Sequence, residues 1–327
     1  MDLEISQLNK KIQAENVFIH DLKKEIGRII IGQEELVNGL IVGLLANGHV
    51  LVEGVPGLAK TMTIKTLAQT LSAAFQRIQF TPDLLPADII GTRIFDIALG
   101  AFRTEKGPIF AHLILADEIN RAPQKTQSAL LEAMQERQVT IGDTSFPLEE
   151  PFWILATQNP IEQEGVYPLP EAQVDRFALK VNVDYPSQSD EASMLGLHLG
   201  EIAVSHVMTP TDVIRFRKFI ASIHVSEAIR EYVIRVVRAT RNSEATSLPV
   251  VKEMVLYGAS PRAAQHLLAL ARTTAFFAGR DYVLPADVKR IAPDTLRHRL
   301  IRTVRAEAES VSPDEIIGEV LRKTPIP

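Results

Sequence analysis

Short apolar runs alternate with longer stretches of helical periodicity from about residue 28 to residue 185. The runs are His49–Glu53, Arg77–Phe80, Leu113–Ala116, Phe152–Ala156 and Ala178–Val183. Near-continuous apolar runs separated by amphipathic helices predict a parallel sheet covered on both faces. After Asp184-Tyr185-Pro186-Ser187-Gln188-Ser189 such runs stop. The remainder of the chain has helical spacing, as in Ile229, Val233, Val236 and Val237, then Leu267, Leu270, Ala271 and Ala275. Ahead of the sheet, residues 1–25 intersperse Leu3, Leu8 and Ile12 with Lys10, Lys11 and Glu15, which reads as a solvent-facing helix. The pattern therefore predicts an N-terminal helical arm over 1–27, an α/β core over 28–186 and an all-helical domain over 187–327.

Composition narrows the class. The chain of 327 residues is 46% hydrophobic and 23% charged, as in ordinary globular proteins, so disordered and low-complexity classes fall away. With no cysteine there are no disulfides, thiolate metal sites or cysteine nucleophile. The eight histidines show no zinc-ligand spacing and read as structural. The N-terminal residues lack a secretory pattern, and the run Leu40–Ala46 is too short to span a bilayer, which together predict a cytoplasmic protein without membrane insertion. Residues 1–186 carry a net charge of −8 and residues 187–327 of +3, with no concentrated basic stripe, so a nucleic-acid partner is not expected.

Chemistry enters at Gly54-Val55-Pro56-Gly57-Leu58-Ala59-Lys60-Thr61-Met62, between the strand-like Val50-Leu51-Val52 and a helical run carrying Ile64, Leu67, Ala68 and Leu71. A triphosphate needs inward backbone N–H groups at a helix N-terminus, an ammonium for the β/γ oxygens and a hydroxyl for Mg²⁺. Gly54 and Gly57 let the backbone wrap, Lys60 supplies the charge and Thr61 the hydroxyl. Ala59 stands where phosphate loops usually have glycine, so the loop there is expected to keep a conformation that tolerates a Cβ. The run Leu113–Ala116 ends in Asp117 and Glu118, one carboxylate suited to holding Mg²⁺ and one to orienting the attacking water. The run Phe152–Ala156 ends in Thr157-Gln158-Asn159, and Asn159 could hydrogen-bond the water or the γ-phosphate.

Ser260 and Pro261 fit the cap and first position of a helix, which places Arg262 in its first turn. An arginine there opposes the helix dipole and invites a bound anion as compensation. Arg297-His298-Arg299 reads as a solvated or subunit-facing helix surface. Thr81–Gly91 reads as a proline-punctuated loop, for a pore, a partner or ordinary packing. Gln138–Phe146 reads as a hairpin about Gly142-Asp143.

In order, these motifs resemble the AAA+ ATPases over residues of roughly 28 to 310, and within them the MoxR family. The resemblance rests on Gly54–Thr61, Leu115-Ala116-Asp117-Glu118-Ile119-Asn120-Arg121-Ala122, Ala156-Thr157-Gln158-Asn159-Pro160 and Leu169–Phe177, and the family shares the alanine at 59. It implies a P-loop NTPase core with a parallel sheet followed by a helical lid, using ATP and Mg²⁺. Lys60 and Thr61 match the Walker A pair, Asp117 and Glu118 the Walker B pair, and Asn159 sensor 1. Arg176 matches the arginine finger and Arg262 sensor 2, while Ile31 and Gly32, within Ile29–Gln33, match the adenine-side strip. The resemblance also implies a ring, with six subunits expected, in which Arg176 serves a neighbour's nucleotide while Arg262 lies close to Lys60 of its own subunit. It implies a chaperone-like remodeller with a partner carrying a von Willebrand factor type A domain. A DNA-processing motor and a nucleotide-gated scaffold with negligible turnover are the alternatives.

Overall fold

All five apolar runs become neighbouring parallel strands in the computed structural model, which describes residues 2–98, 100–160, 165–195, 203–241 and 248–327. Two helices come first, α1 (Asp2–Gly27) and α2 (Glu34–Leu45). The core continues through β1 (Val50–Glu53), α3 (Lys60–Thr70), β2 (Phe75–Gln79), α4 (Pro86–Ile90), β3 (Gly91–Asp96), β4 (Ala101–Lys106) and β5 (Leu113–Asp117). It is completed by α5 (Gln124–Glu136), β6 (Gln138–Ile141), β7 (Thr144–Pro147), β8 (Trp153–Gln158), α6 (Glu171–Val174) and β9 (Leu179–Asn182). The C-terminal part holds α7 (Gln188–Leu195), α8 (Pro210–Ala221), α9 (Glu227–Ala239), α10 (Pro249–Met254), β10 (Val255–Tyr257), α11 (Pro261–Phe277) and α12 (Pro285–Leu296). It ends with β11 (Ile301–Arg302), α13 (Val304–Ala308) and α14 (Pro313–Lys323).

The sheet order is β2-β5-β8-β1-β9, with every pair parallel. Strand alternation divides its side chains between two cores. Val50, Val52, Leu113 and Leu155 face α1, α2, α3 and the lid, whereas Leu51, Ile114, Ala116 and Ile154 face α5. Each fully buried aliphatic side chain stabilises the fold by roughly 1.5–3 kcal/mol, which is why these strands read as continuous apolar runs. α2 lies directly on the sheet: a Cβ at Gly43 would come within 2.4 Å of Val50 Cγ2, and one at Gly39 within 2.7 Å of Val181 Cγ2.

Several elements differ from the sequence reading. The second half of α1 is not solvent-facing, because Ile19, Leu22 and Ile26 are buried in the core that contains α2, α3 and α11. The first half of that helix carries too mixed a pattern to reveal this burial from spacing alone. Residues 81–91 are only partly loop: α4 comes after Thr81–Leu85, and an antiparallel hairpin of β3 and β4 comes after α4. Phe95 and Phe102 meet edge to face across it with centroids 5.2 Å apart, yet remain 51% and 61% exposed. A hairpin wet on both faces has no reason to alternate apolar and polar residues, so it left no strand signal. The expected hairpin over 138–146 forms as β6 and β7. The lid is helical and adds a short antiparallel ribbon of β10 and β11.

Candidate nucleotide site

Sheet order brings the predicted motifs together. β8 lies between β1 and β5, so Thr157-Gln158-Asn159 at its carboxyl end falls between the loop after β1 and the acids ending β5. The carboxyl edge of an open parallel sheet is where such folds bind ligands.

The loop 54–59 leaves β1 and turns into α3. A Cβ at Gly54 would lie 2.8 Å from Val183 O, so the first glycine is required by close approach to the end of β9. Gly57 has φ 87° and Ala59 has φ 57° and ψ 13°. The Cβ of residue 59 is accommodated, but at a cost: the backbone is left-handed there, and alanine occupies a conformation that favours glycine. The turn aims the N-terminus of α3 into the loop, offering the amides and dipole suited to phosphate. Lys60 Nζ donates to Gly54 O, folding over the loop. Burial holds the Lys60 ammonium below its ordinary pKa, and the charges of Asp117, Glu118 and Glu53 push against that shift. Lys60 therefore sits in the field of both predicted carboxylates. Thr61 occupies the first turn of α3, and Met62 next to it is 40% exposed.

Asp117 is 8% exposed and both its oxygens are engaged. Thr157 Oγ1 donates to Oδ1 at 2.6 Å, and Arg77 Nε and Nη2 donate to Oδ2 at 3.0 and 2.6 Å. Glu118 has left-handed backbone, φ 56°, with its amide donating to Thr157 Oγ1 at 2.8 Å. Its carboxylate accepts from Gln79 Nε2 at 2.9 Å and pairs with Arg121 Nη1 at 3.2 Å. Asn159 is buried just beyond the end of β8. Sequence reasoning missed Arg77, Gln79 and Thr157. The available signal was Arg77-Ile78-Gln79, a polar-apolar-polar alternation on the strand paired with β5, which puts both polar side chains on one face.

Ile31 and Gly32 connect to this loop indirectly, through the residues that follow β9. Gln33 Nε2 donates to Asp184 O at 3.2 Å, one residue beyond the Val183 carbonyl that borders Gly54. Gly32 has φ 71°, and a Cβ there would meet Asp190 of α7 at 2.7 Å. A cavity of about 550 Å³ is bordered by Ile30, Ile31, Gly32, Asn38 and Asp190.

The two predicted arginines are elsewhere. Arg176 and Arg262 share a small cavity of about 170 Å³ with Asn47, Gly48, His49, Arg137 and His266. Asn47–His49 immediately precede β1, whereas the phosphate loop comes after it, so this cavity is at the amino edge of the sheet. Arg176 is distant from Lys60, as expected. The expectation that Arg262 lies close to Lys60 is corrected: the lid docks α11 against the loop before β9, and Arg262 Nη1 donates to Asp175 Oδ2 at 3.0 Å. The compensating anion at that helix N-terminus is this carboxylate. Arg299, expected on a solvated or subunit-facing helix surface, instead has a side chain only 1% exposed within its own subunit.

Among the described residues no cluster of three or more histidines or carboxylates could hold a metal, and no helix is long and apolar enough to cross a membrane. The Thr61 hydroxyl and the Asp117 carboxylate are hard oxygen donors of the kind Mg²⁺ takes alongside phosphate, and the buried Asp117 beside Lys60 fits that ion.

A phosphate loop at the carboxyl edge of this five-stranded sheet, with the polar end of β8 between it and the acidic pair and a helical lid behind, defines a P-loop NTPase of the AAA+ class. Comparison with known proteins agrees. The model for the ATPase family associated with various cellular activities (AAA) matches residues 49–179, and that for the AAA lid domain matches residues 247–320. Chaperone MoxR1 of Mycobacterium tuberculosis is 50% identical over 313 residues, covering 94% of this chain and 83% of that protein. Protein MoxR of Paracoccus denitrificans is 29% identical over 299 residues, covering 86% of this chain and 87% of that one. A crystal structure from Cytophaga hutchinsonii superposes with a TM-score of 0.91 at 46% identity, covering 99% of both chains. The chain belongs to the MoxR family of AAA+ ATPases.

Proposed function

We propose that the protein binds and hydrolyses Mg-ATP at a site shared between subunits of a ring and uses the cycle to remodel partner proteins in the cytoplasm. The observation carrying this reading is the position of Lys60 in the joint field of Asp117 and Glu118, with Thr157 hydrogen-bonded to both acidic residues. The amides of Gly54, Val55, Gly57, Leu58 and Ala59, with Lys60, Thr61 and Met62 behind them, would cradle the phosphates, Pro56 would stiffen the turn, and Ile31 and Gly32 would face the base. Thr61 and Asp117 would hold Mg²⁺, which when bound neutralises charge on the β and γ oxygens. Glu118 would accept a proton from the attacking water, and Asn159 would orient that water against the γ-phosphate. Arg77 would have to release the Asp117 oxygen it occupies before that carboxylate could meet the metal.

Arg176 and Arg262 sit at the edge opposite their own phosphate loop, which supports action of both on a neighbour's triphosphate, where they would stabilise transition-state charge. That requires a ring, for which six subunits is the family expectation. The von Willebrand factor type A partner rests on the same family resemblance. Phosphate release by Glu118→Gln against the parent tests the enzyme: a large loss supports hydrolysis, and equal rates would favour a nucleotide-gated scaffold. Salt-sensitive stimulation by DNA would favour a DNA-processing motor instead.

A further inference from the structure

Asp175, the residue before Arg176, is gripped by the lid from several directions. Its carboxylate accepts from Ser260 Oγ at 2.9 and 3.0 Å, from Arg262 Nη1 at 3.0 Å and from Arg299 Nε at 2.8 Å. Arg299 does more than pair with that charge. Its Nη2 donates to Asp175 O at 3.1 Å, to Phe177 O at 2.5 Å and to His266 Nδ1 at 2.7 Å, and its Nη1 reaches Ala178 O and Thr295 O. One buried guanidinium thus ties Asp175, Phe177 and Ala178, the residues on either side of Arg176, to α11 and the end of α12. Among the described residues the Arg176 guanidinium has no hydrogen bond or ion pair, so its position is set by the backbone that Arg299 and Asp175 hold.

The surroundings suit a fixed clamp. His266 must be neutral at Nδ1 to accept from Arg299, and burial together with the Arg299 charge holds its pKa down to about 3. A buried ion pair adds little net stability but is costly to break on one side, so removing either partner would disrupt the clamp.

We propose that Asp175 and Arg299 are positioning residues for the arginine finger: they lock the loop carrying Arg176 to the lid, so lid movement during the nucleotide cycle advances or withdraws Arg176 at the neighbouring site. This rests on the reading that Arg176 acts on the adjacent subunit. A small misplacement of such a group costs about 100-fold in rate while leaving ground-state binding intact. Asp175→Asn in the full-length chain at ring-forming concentration should therefore lower kcat by about 100-fold with KM and nucleotide affinity unchanged. Ser260→Ala, which removes one donor without orphaning a charge, should give a few-fold loss of the same kind and serves if Asp175→Asn does not fold.

Mixed assemblies decide the matter. Combining Asp175→Asn with Glu118→Gln should restore phosphate release, because the second subunit lends an intact finger to the first subunit's intact catalytic centre. Combining Asp175→Asn with Arg176→Ala should restore none, since both lack the same function. Recovery from Arg176→Ala plus Glu118→Gln, but not from Asp175→Asn (or Ser260→Ala) plus Glu118→Gln, overturns the proposal while sparing action across the interface. No recovery in either mixture overturns both.

Discussion

Removing Arg262 separates action within a subunit from action on its neighbour. Gly48, at the cavity holding Arg262, and Gly54, at the phosphate loop, are six residues apart along β1. At about 3.3 Å per residue the separation is roughly 20 Å. Over that distance in water a unit charge pair gains about 0.2 kcal/mol, and physiological salt, with a screening length of about 8 Å, removes most of it. A guanidinium touching a phosphate at about 4 Å under an effective dielectric constant of about 20 gains on the order of 4 kcal/mol, or about a thousandfold in affinity. Arg262→Ala should thus change the dissociation constant for a fluorescent ADP analogue by less than about threefold in subunits diluted below assembly. In assembled protein the same variant should lose phosphate release by about 100-fold or more, as Arg176→Ala should. Refutation would be a loss of nucleotide affinity approaching a thousandfold in isolated, folded Arg262→Ala subunits, since that requires contact with their own nucleotide.

Glu118 is restrained by Gln79, so Gln79→Leu should free it; a charged hydrogen bond of about 1.5 kcal/mol converts to roughly tenfold faster basal phosphate release at saturating ATP, and a slower rate would show that Gln79 supports Glu118 instead. Ala59→Gly should stabilise the protein by about 0.5–1 kcal/mol, the left-handed strain relieved less the added freedom of the unfolded chain, whereas Gly57→Ala should destabilise it by about 1 kcal/mol or more. Thermal midpoints that fall for Ala59→Gly would contradict the φ of 57°. His266 has a folded pKa of about 3 against 6.5 when unfolded, so the unfolded chain gains a proton that the native state refuses. Its stability contribution is present above pH 6.5 and is lost as pH falls toward 3, by up to roughly 1.4 kcal/mol per pH unit. Urea midpoints against pH should therefore fall less steeply for His266→Gln than for the parent, and parallel curves would count against the shift.

The phosphate loop and the acidic pair were legible because each closes an apolar strand, and both the strand and its polar ending are local in sequence. Arg77 and Gln79 were harder to see, because their meaning depends on β2 lying beside β5, an adjacency no local pattern states. The same holds for Asp175: next to Arg176 it reads as one more surface acid until Ser260, Arg262 and Arg299 arrive from the lid. The β3–β4 hairpin left no trace because neither face is buried.

By itself the sequence determined the class: five buried strands, a loop that can wrap phosphate and paired carboxylates, all encoded by periodicity and short-range chemistry. Only the tertiary structure decided which edge of the sheet each charge occupies. Ser260-Pro261 places Arg262 in a first helical turn wherever that helix goes, but docking against the loop before β9 is a rigid-body outcome of packing between α11, α12 and the core. Helical periodicity specifies which face of a helix is buried and is silent on which end of a distant sheet it will meet.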